Sequence, residues 1–199
     1  IWEAADVAEA AVNEGIAAIK PEDFDKQAYK ESLEARLGMS YSVMRGVFNQ
    51  VKGRGKRIVF PEGDNEKVIR AAAQCVEQQI CVPILLGNEK SIRQTMSELN
   101  IEFDCEIINP RYDDRRIGNY DIHLLQNRSR KGMTTLDAQR LLKSRPYFAA
   151  QMVEIGDADG FLGGVSRNYA DVLRPCLEVI GSDEDSHCAI GCYMMVVKG

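Results

Sequence analysis

Between Gly163 and Pro175 the chain gathers residue types that bind small polar ligands. Two glycines are followed by Ser166, Arg167, Asn168 and Tyr169, and then by Asp171 and Arg174 at i, i+3 spacing. The glycines let a ligand approach the backbone closely, and the helix expected to start here offers free N–H groups to an anion. The residues alone leave two readings open. Asp171 and Arg174 form a surface ion pair of little energetic value, or the segment is a polar ligand site at a strand end.

A second concentration of chemistry lies between residues 111 and 145. Arg111, Arg115, Arg116, Arg128, Arg130, Lys131, Arg140, Lys143 and Arg145 face only Asp113, Asp114, Asp121 and Asp137, in a chain of net charge −5. Arginine forks match phosphate geometry, so this stretch is either a phosphate-attracting rim or a solvated helical face laced with ion pairs. It is too short and too poor in aromatics to track a nucleic-acid strand. Neither G-x-G-x-x-G nor G-x-x-x-x-G-K-[ST] occurs, so no nicotinamide fingerprint or phosphate loop is expected. His123 and His187 stand outside any triad-like context and read as structural. Cys75, Cys81, Cys105, Cys176, Cys188 and Cys192 form no C-x-x-C pair and read as reduced thiols. Cys188-x-x-x-Cys192 beside His187 is half of a zinc site without a second half, so no metal site is expected.

Alternating strands and helices must position these residues. The first forty residues read as helix, with Ala-rich apolar periodicity over 7–12 and then Tyr29, Leu33 and Leu37 spaced i, i+4, i+8 before Gly38 as C-cap. A third helical run, 40–51, leads into a solvated Gly/Lys/Arg linker. Strands are expected at 58–60, 81–86, 106–110 and 161–162, with a last one at 194–197. Between them lie a helix capped by Asp64 that carries residues from Val68 to Ile80, and a helix from Asn88 towards Leu99. Further helices are expected over 112–126, 136–143 capped by Thr134 or Thr135, and 147–155 opened by Pro146, with an Asp171-containing helix reaching Ile180. This order predicts an α/β fold with a mostly parallel sheet, in which ligands sit outside the carboxyl ends of the strands.

With 199 residues and 45% hydrophobic content, the chain has material for one ordinary domain and a little more. The acidic balance argues against nucleic acid as a partner. No run approaches ~18 consecutive apolar residues, so no membrane span is expected. The start at Ile1, with no basic n-region or cleavage site, reads as a fragment without a signal peptide, and the location expected is cytoplasmic.

Several linked motifs carry a resemblance. Arg57-Ile58-Val59-Phe60-Pro61-Glu62-Gly63, Pro83-Ile84-Leu85-Leu86-Gly87, Lys131-Gly132-Met133-Thr134, and the run from Gly156-Asp157-Ala158-Asp159-Gly160 to Arg174-Pro175 resemble the phosphate acetyltransferase (phosphotransacetylase) family in order and spacing. Val7-Ala8-Glu9-Ala10-Ala11 and Asp25-Lys26-Gln27-Ala28-Tyr29 resemble the last helices of bacterial malic enzymes. Together they look like the hybrid NADP-dependent malic enzymes, in which a phosphotransacetylase-like domain follows the catalytic one. The resemblance implies a three-layer, Rossmann-like, mostly parallel sheet preceded by short helices, with its second subdomain incomplete. It divides the chain into malic-enzyme helices (1–38), a helix and linker (39–56) and the N-terminal portion of the phosphotransacetylase-like domain (57–199).

Transferases of that family read S-G-A where this chain has Gly163, and carry a Thr pair where it has Asn168-Tyr169. The resemblance therefore implies a site that binds acetyl-CoA as a regulatory effector and has no catalytic residue. Arg128 and Arg174 are expected to face CoA phosphates or the acyl end, and Asn168, Tyr169, Asp171 and Ser166 the acyl or pantetheine portion. The expected partners are acetyl-CoA, a malic-enzyme catalytic domain in the same chain, and further copies of the protein. NADP and a divalent metal would belong to that catalytic domain alone. Two other functions fit the same resemblance: an active phosphate acetyltransferase, and an oligomerisation module without a ligand.

Overall fold

The computed structural model describes residues 2–36, 39–182, 188–192 and 195. The chain forms two compact units, residues 1–50 with 191–199, and residues 51–190.

In the first unit, α1 (Trp2–Asn13), a 3₁₀ turn at Pro21–Asp23, α2 (Lys26–Arg36) and α3 (Met39–Val51) follow one another. Ala5 and Val12 are buried, and Lys26 ties α2 to α1 through Asp6 at 2.7 Å and Glu9 at 2.6 Å. The predicted C-cap at Gly38 lies outside the described residues, as do His187 and all of the predicted 194–197 strand except Met195, which is in no strand.

The second unit alternates β1 (Arg57–Phe60), α4 (Glu66–Glu77), β2 (Val82–Leu86), α5 (Glu89–Glu98), β3 (Glu106–Ile108), α6 (Asp114–Arg128), α7 (Thr135–Leu142), α8 (Arg145–Glu154), β4 (Gly160–Phe161) and α9 (Tyr169–Val179). The sheet order is β3-β2-β1-β4 and every pairing is parallel, with Val59 opposite Ile84 on one side and Phe161 on the other. Successive strand residues point to opposite faces. Accordingly Val59, Ile84, Leu86 and Ile108 pack with α6 to α9, while Phe60 and Leu85 pack with Val68, Ile69 and Ala72 of α4 and Ile92 and Met96 of α5. Two helical layers therefore enclose the sheet, as the three-layer expectation requires. Among the described residues no helix is long and apolar enough to cross a membrane.

Several boundaries differ from the expectations. Asn65, not Asp64, caps α4, accepting from the Lys67 N–H at 2.9 Å, because Arg145 holds the Asp64 carboxylate elsewhere. The same helix stops at Glu77 rather than running to Ile80. Gln79 turns left-handed (φ 57°), and the Ile80 N–H reaches back to the Cys75 carbonyl at 2.8 Å, closing a Schellman motif without glycine. The 112–126 helix starts two residues later, behind Asp113 as N-cap, and continues to Arg128. Thr134, not Thr135, caps α7 in a reciprocal capping box with Asp137.

Candidate functional site

The chain winds from β1 outward to β2 and β3, then returns to place β4 on the other side of β1. In an open parallel sheet such a reversal opens a crevice at the carboxyl ends of the two diverging strands. Here it lies between the turn 61–64 after β1 and the loop 162–168 after β4. A cavity of about 390 Å³ occupies it, lined by Glu62, Asp64, Arg145, Ser166, Arg167, Asn168 and Asp171.

Glu62 organises this crevice. It is only 4% exposed, and its carboxylate accepts four hydrogen bonds from the opposite loop. The backbone N–H groups of Gly164 and Val165 donate to Oε2 at 2.8 Å each, and the N–H and hydroxyl of Ser166 donate to Oε1 at 2.7 and 2.5 Å. Burial alone would raise the carboxyl pKa, but the Ser166 hydroxyl and the three N–H groups outweigh it and lower the value to about 2. The side chain is therefore an anion at every physiological pH. Three N–H groups that would otherwise form an anion-binding nest are turned onto an internal carboxylate. The Ser166 proton is committed the same way, so its hydroxyl meets a ligand as an acceptor.

The second fixed contact crosses from β1 to α8. Arg145 grips Asp64 through both ends of its guanidinium, at 2.7 and 2.9 Å. That hydrogen bonding to Arg145 is the main reason the Asp64 carboxyl pKa is lowered, and the charge of Arg167 adds to it. A Cβ on Gly163 would lie 2.9 Å from the Phe161 ring and 3.4 Å from Pro61. The loop therefore enters the crevice against a wall that leaves no room for a side chain.

The predicted site residues separate into two groups. Ser166, Asn168 and Asp171 line the crevice. Arg128, at the end of α6, and Arg174, on α9, do not line the crevice; the charge of each acts on the Tyr147 hydroxyl of α8. Arg128 Nη2 lies 3.8 Å from Glu178 Oε1, and the Tyr147 hydroxyl donates to Glu178 Oε2 at 2.6 Å. Burial, and then the hydrogen bond to Glu178, push the Tyr147 hydroxyl pKa up to about 12. Tyr169 is 75% exposed and does not line the crevice. Asp171 and Arg174 make no ion pair with each other, so that reading of their spacing fails. The basic stretch is mixed. Arg116 bridges Glu106 and Asp113, and Arg128 and Arg145 have the partners named, while Arg111, Arg115, Arg130, Lys131, Arg140 and Lys143 make no salt bridge among the described residues.

Residues 42–199 match the family described as phosphate acetyl/butaryl transferase. The chain belongs to that family. In fold, its transferase relatives include a phosphotransacetylase of Streptococcus pyogenes, with TM-score 0.67 and 33% identity over 71% of this chain and 43% of that one. In sequence, it is 32% identical to the phosphate acetyltransferase of Staphylococcus aureus (strain MRSA252) over 152 residues, 74% of this chain and 45% of that protein. It is also 35% identical to the NADP-dependent malic enzyme of Rhizobium meliloti (strain 1021) over 200 residues, 97% of this chain. The chain spans a quarter of that malic enzyme's length and under half of the phosphate acetyltransferases it matches.

Within the transferase fold, the residues by themselves gave Glu62, Asp64, Tyr147 and Glu178 no role at the site, and gave Arg145 only a place in the phosphate-attracting stretch. Glu62 carried one signal: a carboxylate just past the end of an apolar strand, with glycine following. Glu178 carried none beyond its place one helical turn after Arg174.

Proposed function

We propose that this chain is an acetyl-CoA-binding regulatory domain joined to an NADP-dependent malic enzyme, and that it does not itself transfer acetyl groups. The observation that carries the reading is the buried Nε of Arg128, which has no hydrogen-bond partner among the described residues. A buried donor left unpaired costs stability, and an anionic oxygen is the partner that best relieves it. Phosphate groups of CoA meet that requirement, and the polar crevice at the other end of α9 suits the thioester or pantetheine end. The similarity to malic enzymes, which runs through both units of the chain, favours a regulatory role over free-standing catalysis. So does the commitment of the Ser166 hydroxyl to Glu62. NADP and a divalent metal would belong to the malic-enzyme part, which this chain does not span.

Regulation requires that acetyl-CoA bind one arrangement of the joined domains better than the other. In the full-length protein, acetyl-CoA is expected to inhibit malate oxidation by NADP. It should release no free CoA when phosphate is added. Turnover insensitive to acetyl-CoA would overturn the regulatory role, and phosphate-dependent CoA release would establish a working acetyltransferase instead.

A further inference from the structure

Arg128, Glu178 and Tyr147 bring one cation, one anion and one hydroxyl together between α6, α9 and α8. The Arg128 side chain is 18% exposed, so its charge is poorly hydrated and needs a partner. The nearest carboxylate, Glu178, stands 3.8 Å away, beyond hydrogen-bond distance. The Tyr147 hydroxyl donates to Glu178 Oε2 at 2.6 Å, while Oε1 is the oxygen that faces Arg128. Arg174 lies one turn before Glu178 on α9, acts electrostatically on the same hydroxyl, and makes no ion pair among the described residues.

We infer that Glu178 is an internal counter-anion that competes with ligand phosphate for Arg128, and that Tyr147 sets the strength of the competition by restraining it. The inference rests on the reading of Arg128 and Arg174 as phosphate contacts. A phosphate brings more negative charge than a carboxylate and engages the guanidinium fork through two oxygens. It displaces Glu178 from Arg128, while Tyr147 keeps the released carboxylate hydrogen-bonded. Glu178 thus lowers the affinity for every phosphate-bearing ligand and leaves contacts to the uncharged end untouched.

Three titrations of the full chain separate this from a structural role. Glu178→Gln keeps an oxygen for the Tyr147 hydroxyl and removes the charge, and it should tighten acetyl-CoA binding roughly tenfold. Tyr147→Phe frees Glu178 to close on Arg128 and should weaken binding, so the two variants move in opposite directions. A residue needed only for packing would move both the same way. S-acetylpantetheine, which has no phosphate, should show no gain from Glu178→Gln. If the unmodified chain binds acetyl-CoA and Glu178→Gln binds no better, the inference is wrong and the ligand reading survives. If neither protein binds acetyl-CoA, the ligand reading falls and takes the inference with it.

Discussion

Glu62 determines what the loop after β4 is able to do. Its carboxylate replaces the ligand anion that a run of three N–H groups would otherwise attract, so the loop is shaped before any ligand arrives. Glu62→Gln would place an amide donor among donors, and the amides of Gly164, Val165 and Ser166 should then exchange with solvent roughly tenfold faster or more. Unchanged exchange would show that the loop holds its shape without the charge. The pH dependence follows from the sign of the shift. The carboxyl titrates at about 2 when folded and near 4.5 when unfolded, so its contribution to stability is complete above pH 4.5. It declines as the pH falls from 4.5 towards 2, and Glu62→Gln should remove that part of the acid transition in a urea titration. Arg128 carries the ligand reading at this scale. Its contacts to phosphate would be worth about 1.5–3 kcal/mol each. Arg128→Ala should therefore weaken acetyl-CoA binding roughly tenfold to a hundredfold, with the far-UV spectrum retained. Equal affinity would remove Arg128 from the site.

Among the elements, the turn after β1 is the tightest point. A Cβ on Gly63 would meet Leu85 Cβ at 2.9 Å and the backbone N and O of Leu86 at 3.0 Å, atoms of β2 that cannot move aside. Gly63→Ala should cost about 1–3 kcal/mol in denaturant unfolding, and it should disturb the crevice because Glu62 and Asp64 flank it. An unchanged midpoint would mean that β1 and β2 slide apart easily. At this scale the sequence was most informative where local chemistry decides. Asn88 caps α5 through its own side chain, and Thr134 caps α7, because each bond is made within three residues. The reading failed where a distant partner intervened. Asp64 is a good cap by type, but Arg145, 81 residues away, takes its carboxylate and leaves the cap to Asn65. Glu62 was hidden for the same reason, since its donors lie 102 to 104 residues further along. The separation of Arg128, on α6, and Arg174, on α9, from the crevice residues was equally invisible, because it depends on how those helices pack against α8.

For the molecule as a whole, the reversal of strand order at β1, with every strand still parallel, explains why the polar crevice lies where it does. The same α9 links it to the Arg128–Glu178 pair, so a ligand with an anionic end and a polar acyl end would span one helix. An arginine-dominated site should lose affinity with salt, since exposed charges are screened over about 10 Å at 0.1 M ionic strength. The half-buried Arg128 should be screened less than Arg174. The most direct measurement is calorimetric titration of the full chain with acetyl-CoA, with NADP as the control. Saturable binding of acetyl-CoA but not NADP, weakened by Arg128→Ala, is the predicted result. No heat of binding at millimolar acetyl-CoA would contradict the ligand reading and leave the fold as an oligomerisation module.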